Sequence, residues 1–162
     1  MRIVKPVRRF ISFVFNILFA ATALADGGGG GGGSGEPDDS HSKPGYLQAI
    51  SAINEQRWPD AVRLLRAHVL QFDRDADGHN WLAYSLRKSG KLNEAFVHYK
   101  RALAIDRSHL GAHEYIGEAY LMANQPDEAR KHLQRLASLC ASSCEEYRHL
   151  DSAIAAHGKK AP

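Results

Sequence analysis

Three alanines, Ala61, Ala95 and Ala129, stand 34 residues apart, and two further columns keep the same step: Ala49, Ala83 and Gly117, and Leu65, Tyr99 and Leu133. A period of 34 with small residues at two fixed places and a bulky one at a third fits a unit of two antiparallel helices stacked on copies of itself. The small residues let helix backbones approach closely, and the bulky one fills the space between neighbours. An all-α stack of three helix pairs is the expected fold.

The ends of the chain lie outside this register. Residues 1–25 read as a secretory signal: Arg2, Lys5, Arg8 and Arg9 form a basic start, an apolar stretch runs from Phe10 to Ala21, and Ala23-Leu24-Ala25 supplies a small-x-small cleavage pattern. The apolar part falls short of the roughly 20 residues that span a bilayer. Export with cleavage after Ala25 is expected, the bacterial periplasm being the destination, and a membrane is met only through this segment if it stays uncleaved. Arg8-Arg9 keeps the twin-arginine route open beside the general secretory one. The charge balance turns on this segment. The whole chain has 21 Lys and Arg against 18 Asp and Glu, and four of those bases and none of the acids lie in residues 1–25. Without it the balance is close to neutral, which removes the electrostatic footprint a nucleic-acid-binding protein needs. No nucleic acid is expected as a partner. Residues 26–45 follow as a linker, with Gly27 to Gly33 an unbroken glycine run. Such a chain is a flexible coil with a root-mean-square reach of about 25 Å.

From Pro44 onward the apolar spacing is helical, and proline, glycine and capping residues divide it into seven segments. The pairs are expected at about 44–56 with 59–72, 78–89 with 92–105, and 109–123 with 126–139. Asp77 and Ser108 are placed to cap the first helices of the second and third pairs. A seventh helix opens on Ser143-Cys144-Glu145-Glu146, which reads as a capping box. Leu150 lies 34 after Ile116, so this helix keeps the register before the basic tail 157–162. A solitary amphipathic helix at about 144–156 suits the end of a stack, because the last pair leaves an apolar face open.

Residues Trp81-Leu82-Ala83-Tyr84-Ser85-Leu86 with Gly90, Asn93-Glu94-Ala95-Phe96, Tyr99 and Ala102 resemble the tetratricopeptide repeat family. So do Tyr115-Ile116-Gly117-Glu118-Ala119-Tyr120 with Asp127-Glu128-Ala129 and Leu133. The first repeat departs most: Gln48 stands where Leu82 and Ile116 stand, and His68 where the family has alanine. Gly45, His79 and His113 replace its early aromatic. The resemblance implies a right-handed α-solenoid of three repeats, at about 42–75, 76–109 and 110–143, plus the C-terminal capping helix. It also implies an interaction module or adaptor that binds a protein or peptide in a concave groove, without catalysis or cofactor. Residues 109–121 and 140–147 are similar, besides, to small exported bacterial repeat proteins with no assigned activity. Carried onto this chain, the family's groove positions are Tyr46, Ile50 and Ile53, then Asn80, Tyr84 and Arg87, then Glu114, Glu118 and Leu121. A ligand with an apolar anchor near the first repeat and a basic residue facing Glu114 and Glu118 is expected.

Three other patterns invite chemistry. Cys140 and Cys144, the only cysteines, bracket the turn before the seventh helix, and an oxidising compartment makes a disulfide between them the expectation. The alternative is a soft metal, copper above all, held by that pair with nearby histidines. Asp73-Arg74-Asp75-Ala76-Asp77-Gly78 opens like a calcium loop, but the twelfth position is Tyr84, so the closing bidentate acid is missing and the repeat register explains the segment as a turn. No phosphate loop, H-E-x-x-H or nucleophile elbow occurs.

Overall fold

Each helix pair closes through a turn that needs one left-handed residue. Gln56, Gly90 and Asn124, again 34 apart, have φ of 57°, 79° and 56°. Glycine and asparagine tolerate that region readily; Gln56 is the costly member, in the repeat that fits its family least. The computed structural model describes residues 39–159, which hold seven α-helices and no strand. The helices are α1 (Pro44–Asn54), α2 (Trp58–Gln71), α3 (Ala76–Lys88), α4 (Leu92–Ile105), α5 (Leu110–Met122), α6 (Pro126–Cys140) and α7 (Glu145–Gly158). They form three antiparallel pairs and a final single helix. None of them is long and apolar enough to cross a membrane. The expected secretory signal and glycine run lie outside the described residues.

The repeat columns are the core. Ala49, Ala83, Ala61, Ala95 and Ala129 have no exposed surface, nor do Leu65 and Tyr99, while Leu133 at the end of the stack is only half-buried. Leu82, Leu86, Ile116 and Leu136 complete the filling between pairs. The linker ends earlier than its composition suggests. Residues 39–42 make a 3-10 turn, and α1 begins at Pro44, where the helical spacing placed it, within the last residues assigned to the linker. Ser40 is fully buried, where its hydroxyl donates to Asp75 at 3.1 Å.

Helix α7 takes the place of a fourth first helix, packing on both α5 and α6. Leu150 is fully buried against Gly117, where a Cβ would lie 2.6 Å from one of its methyl carbons. Gly117 therefore stands in the alanine column because the cap needs that space. The helix also runs two residues further than expected, to Gly158.

The caps fall elsewhere than expected. Asp75, not Asp77, caps α3, its carboxylate accepting from the Gly78 N–H at 2.9 Å. His109, not Ser108, caps α5 by accepting from the Ala112 N–H at 3.3 Å, while Ser108 bonds back to Asp106. The capping box does not form either. Cys144 occupies the cap of α7 with no side-chain bond, and the Ser143 hydroxyl donates to the Cys140 carbonyl at 2.7 Å.

Candidate functional site

The first helix of each pair, α1, α3 and α5, presents one face to its neighbours and an adjoining face to the outside. The nine expected groove residues divide between the two. Tyr46, Ile53, Asn80, Arg87, Glu114 and Leu121 are buried, while Ile50, Tyr84 and Glu118 are half-buried. Most of that set is therefore turned into the stack: Tyr46 meets His41 and His68, Arg87 meets Tyr99 and Glu118, and Glu114 meets His149. The column one residue later, Leu47, Trp81 and Tyr115, keeps the 34-residue step and was legible in the sequence on that ground; Leu47 is exposed and the two rings are half-buried. Leu47 is 56 % exposed, and Met122 is 57 % exposed.

Aromatic rings join these positions into a strip. Trp81 and Tyr115 have ring centres 6.2 Å apart, Tyr84 lies 5.0 Å from Tyr115 and 5.8 Å from Trp81, and Trp58 meets Tyr84 edge-on at 5.9 Å. Two cations lie on the strip. The Lys88 ammonium sits 5.6 Å from the Trp58 ring centre, and the Arg87 guanidinium sits 5.3 Å from that of Tyr84. Half-buried aromatic rings beside exposed aliphatic side chains make a surface that favours apolar ligand groups, because contact releases water from both.

The acidic end is already engaged within the chain. Arg87 holds Glu118 at 2.8 Å and donates to the Tyr99 hydroxyl at 3.3 Å, tying the second repeat to the third. Burial pulls that guanidinium down, but Tyr99 and Glu118 more than restore it. Glu114 lies 3.1 Å from His149 of the capping helix. Burial pushes the Glu114 carboxyl up to about 7, against the opposing pull of His149 and with help from the like charge of Glu118. The expected pair of free acids is thus a pair of structural links.

A pH dependence follows with a definite sign. Between the ordinary carboxyl value of 4.5 and about 7 the folded chain keeps a proton at Glu114 that the unfolded chain has released, so this group's contribution is full below 4.5 and is lost as pH rises through 7. The full loss is about 3 kcal/mol at most. Glu114→Gln keeps the shape and removes the titration. Its melting temperature is expected to exceed that of the parent by several degrees at pH 8, with the gap closing near pH 4.5. A gap that does not change with pH would exclude Glu114 as the titrating group.

Two further clusters complete the chemistry. The ligand atoms of His41, Asp75 and Asp77 lie within 4.8 Å of one another. Asp75 is already saturated there, because its oxygens accept from Gly78, Ser40, His41 at 2.9 Å and His68 at 2.6 Å. This is the cap of α3 built into the first repeat junction, which accounts for the aspartates that resemble a calcium loop. Cys140 and Cys144 have Cα atoms 5.7 Å apart and their sulfurs 2.17 Å apart, at bonding distance.

Comparison with known proteins bears on the stack as a whole. Two tetratricopeptide repeat models match, over residues 46–109 and residues 86–154. No curated protein matches the chain. Among solved structures, the Yersinia enterocolitica type III secretion translocator chaperone SycD is similar with a TM-score of 0.68 at 19 % identity, covering 81 % of this chain and 96 % of that one. The TPR2B domain of yeast Sti1, in its pHsp70 complex, has a TM-score of 0.66 at 18 % identity over 76 % of this chain and 98 % of that one. SycD in complex with a peptide of the translocator YopD follows with 0.63 at 16 %, over 78 % and 95 %. At such identities the likeness concerns the fold, and it agrees with the family matches, the 34-residue columns and the seven helices: the chain belongs to the tetratricopeptide repeat family.

Proposed function

We propose that this protein is an exported interaction module that takes a peptide or protein segment across the strip formed by Leu47, Trp81, Tyr84, Tyr115 and Met122, with no catalytic step of its own. The observation that carries the reading is the Leu47, Trp81 and Tyr115 column, which repeats an exposed or half-buried large side chain in every first helix. Its spacing suits a ligand with several apolar or aromatic anchors rather than one. A basic ligand residue reaching Glu118 would share that carboxylate with Arg87, so its part is to set orientation while apolar contact supplies affinity. Support by analogy comes from SycD with its YopD peptide and from PcrH with the chaperone binding region of PopD, both similar in fold. Export rests on residues 1–25, and recovery of a chain beginning at Asp26 is its check. An oxidising compartment suits a Cys140–Cys144 disulfide, which would fasten α7 to α6 and would be seen as a two-dalton gain on reduction. That bond would leave no thiolate for copper, the alternative reading of the pair.

Selection from a random peptide library displayed on phage tests the groove. Peptides rich in aromatic and aliphatic residues are expected to be enriched. The exposed edges of two rings are removed in Trp81→Ala/Tyr115→Ala, and this variant is expected to bind them at least tenfold more weakly, the loss typical of an aromatic hot spot. Binding unchanged in a variant that keeps its helical circular dichroism would exclude this face.

A further inference from the structure

Four histidines pair twice in the same way. His79 and His113 stand 34 apart on α3 and α5, and His98 and His132 stand 34 apart on α4 and α6. Within the second repeat the Nδ1 atoms of His79 and His98 are 3.1 Å apart; within the third, those of His113 and His132 are 2.9 Å apart. The other nitrogen settles the tautomer. Nε2 of His79 lies 3.1 Å from the Asp73 carbonyl and Nε2 of His113 lies 3.2 Å from the Arg107 carbonyl. A carbonyl oxygen only accepts, so both Nε2 atoms carry the hydrogen and both Nδ1 atoms are bare lone pairs. A ring N–H held by a backbone carbonyl while the opposite nitrogen points at a partner is the outer-shell arrangement of metal-binding histidines.

The spacing also fits. Two nitrogens bound to one first-row ion at about 2.0–2.1 Å, as in zinc sites, lie roughly 2.9–3.4 Å apart between cis and tetrahedral geometry. Among the described residues only His41, Asp75 and Asp77 form a group of three with ligand atoms within 4.8 Å of one another, so Glu94 and Glu128, which precede His98 and His132 by one helical turn on the same face, would each have to swing inward to complete a set of three. Their present partners are solvent-exposed bases, Arg66 and Lys91 for Glu94, and Lys131 for Glu128, and such pairs hold weakly. His98 and Glu94 both line a cavity of about 380 Å³ whose other walls include Leu82 and Val97.

We propose that the second and third repeats each hold one divalent first-row transition-metal ion, through His79, His98 and Glu94 in one and His113, His132 and Glu128 in the other. Binding needs no net proton release: the hydrogen on Nδ1 of His98 or His132 moves through solvent to that ring's own Nε2, and the freed lone pair takes the ion. The charged groups facing the pairs are Arg66, Arg101, Asp73, Asp75 and Glu94 in the second repeat. In the third they are Arg135, His109, Asp106, Glu128 and Lys131. The bases would have to turn outward as their carboxylate partners turn in. This site is separate from the cysteines and from the groove.

Zinc titration of the full chain, purified without a histidine tag and followed by calorimetry with metal analysis after dialysis, tests the duplication directly. Two zinc ions per chain are expected. His98→Ala and His132→Ala are each expected to remove one, and their combination both; the exposed substitutions Glu94→Ala and Glu128→Ala, which spare the core, are expected to weaken one site each by tenfold or more. Cys140→Ser/Cys144→Ser is expected to change nothing. Absence of saturable binding would overturn the proposal, as would zinc that survives the double histidine variant or is lost with the cysteines.

Discussion

Leu150→Ala is expected to destabilise the domain by about 2–5 kcal/mol, the range for removing a fully buried leucine and leaving a cavity. In a domain of this size that lowers the thermal midpoint by roughly 10 °C or more. The effect should be large because a stack of repeats is stabilised by nearest-neighbour contacts, and Leu150 is the only fully buried residue of α7. Without it the apolar end of the third repeat opens to water, so hydrogen exchange should quicken first in α5, α6 and α7 and later, if at all, in α1 and α2. Gly117→Val, which fills the same space from the other side, should reproduce that pattern. A midpoint within 2 °C of the parent, or exchange that quickens evenly along the chain, would refute the assignment of α7 as the cap; this threshold is roughly the effect of a neutral surface change.

The second large effect is expected at Arg87. This guanidinium is 9 % exposed and holds Glu118, the Tyr99 hydroxyl and the faces of Tyr84 and Tyr115. Arg87→Ala leaves the Tyr99 hydroxyl buried without its donor and Glu118 without its base. About 2–4 kcal/mol should be lost, below the 3–5 kcal/mol of a fully buried pair because Glu118 is part exposed. Pairing the two changes as Arg87→Met with Glu118→Gln should recover much of this, since a neutral pair of similar volume leaves no charge stranded. A double-mutant cycle by urea denaturation reads the coupling directly, with about 1–3 kcal/mol expected; additive effects would mean that the two side chains merely lie near each other. Reversing the charge at Glu118 would therefore probe stability as much as ligand capture, and the groove is better interrogated at Trp81 and Tyr115.

Helix bounds were legible to within a few residues because proline at Pro59 and Pro126 and the turn at Gly90 act locally on the backbone. Cap identity was less so. Asp75, His109 and Cys144 cap where Asp77, Ser108 and Ser143 were expected, since an N-cap is chosen by the backbone angle at which the incoming chain enters, which depends on the preceding pair. The burial of individual groove candidates was hidden for a related reason. A 34-residue period identifies which residues are equivalent without saying how far each first helix is rotated in the stack, so it could not tell that Asn80 and Glu114 are buried while their neighbours Trp81 and Tyr115 are half-buried. The histidines show the same limit: their columns are plain in the sequence, but that His79 meets His98 and His113 meets His132 is a fact of the closed helix pair.

Gly117 has a consequence for the end of the stack. The equivalent places in the first two repeats hold Ala49 and Ala83, whereas at Gly117 an added methyl would lie 2.6 Å from the leucine that α7 inserts. The last repeat is thus relieved of one methyl group at the place where its neighbour is a single helix rather than a pair.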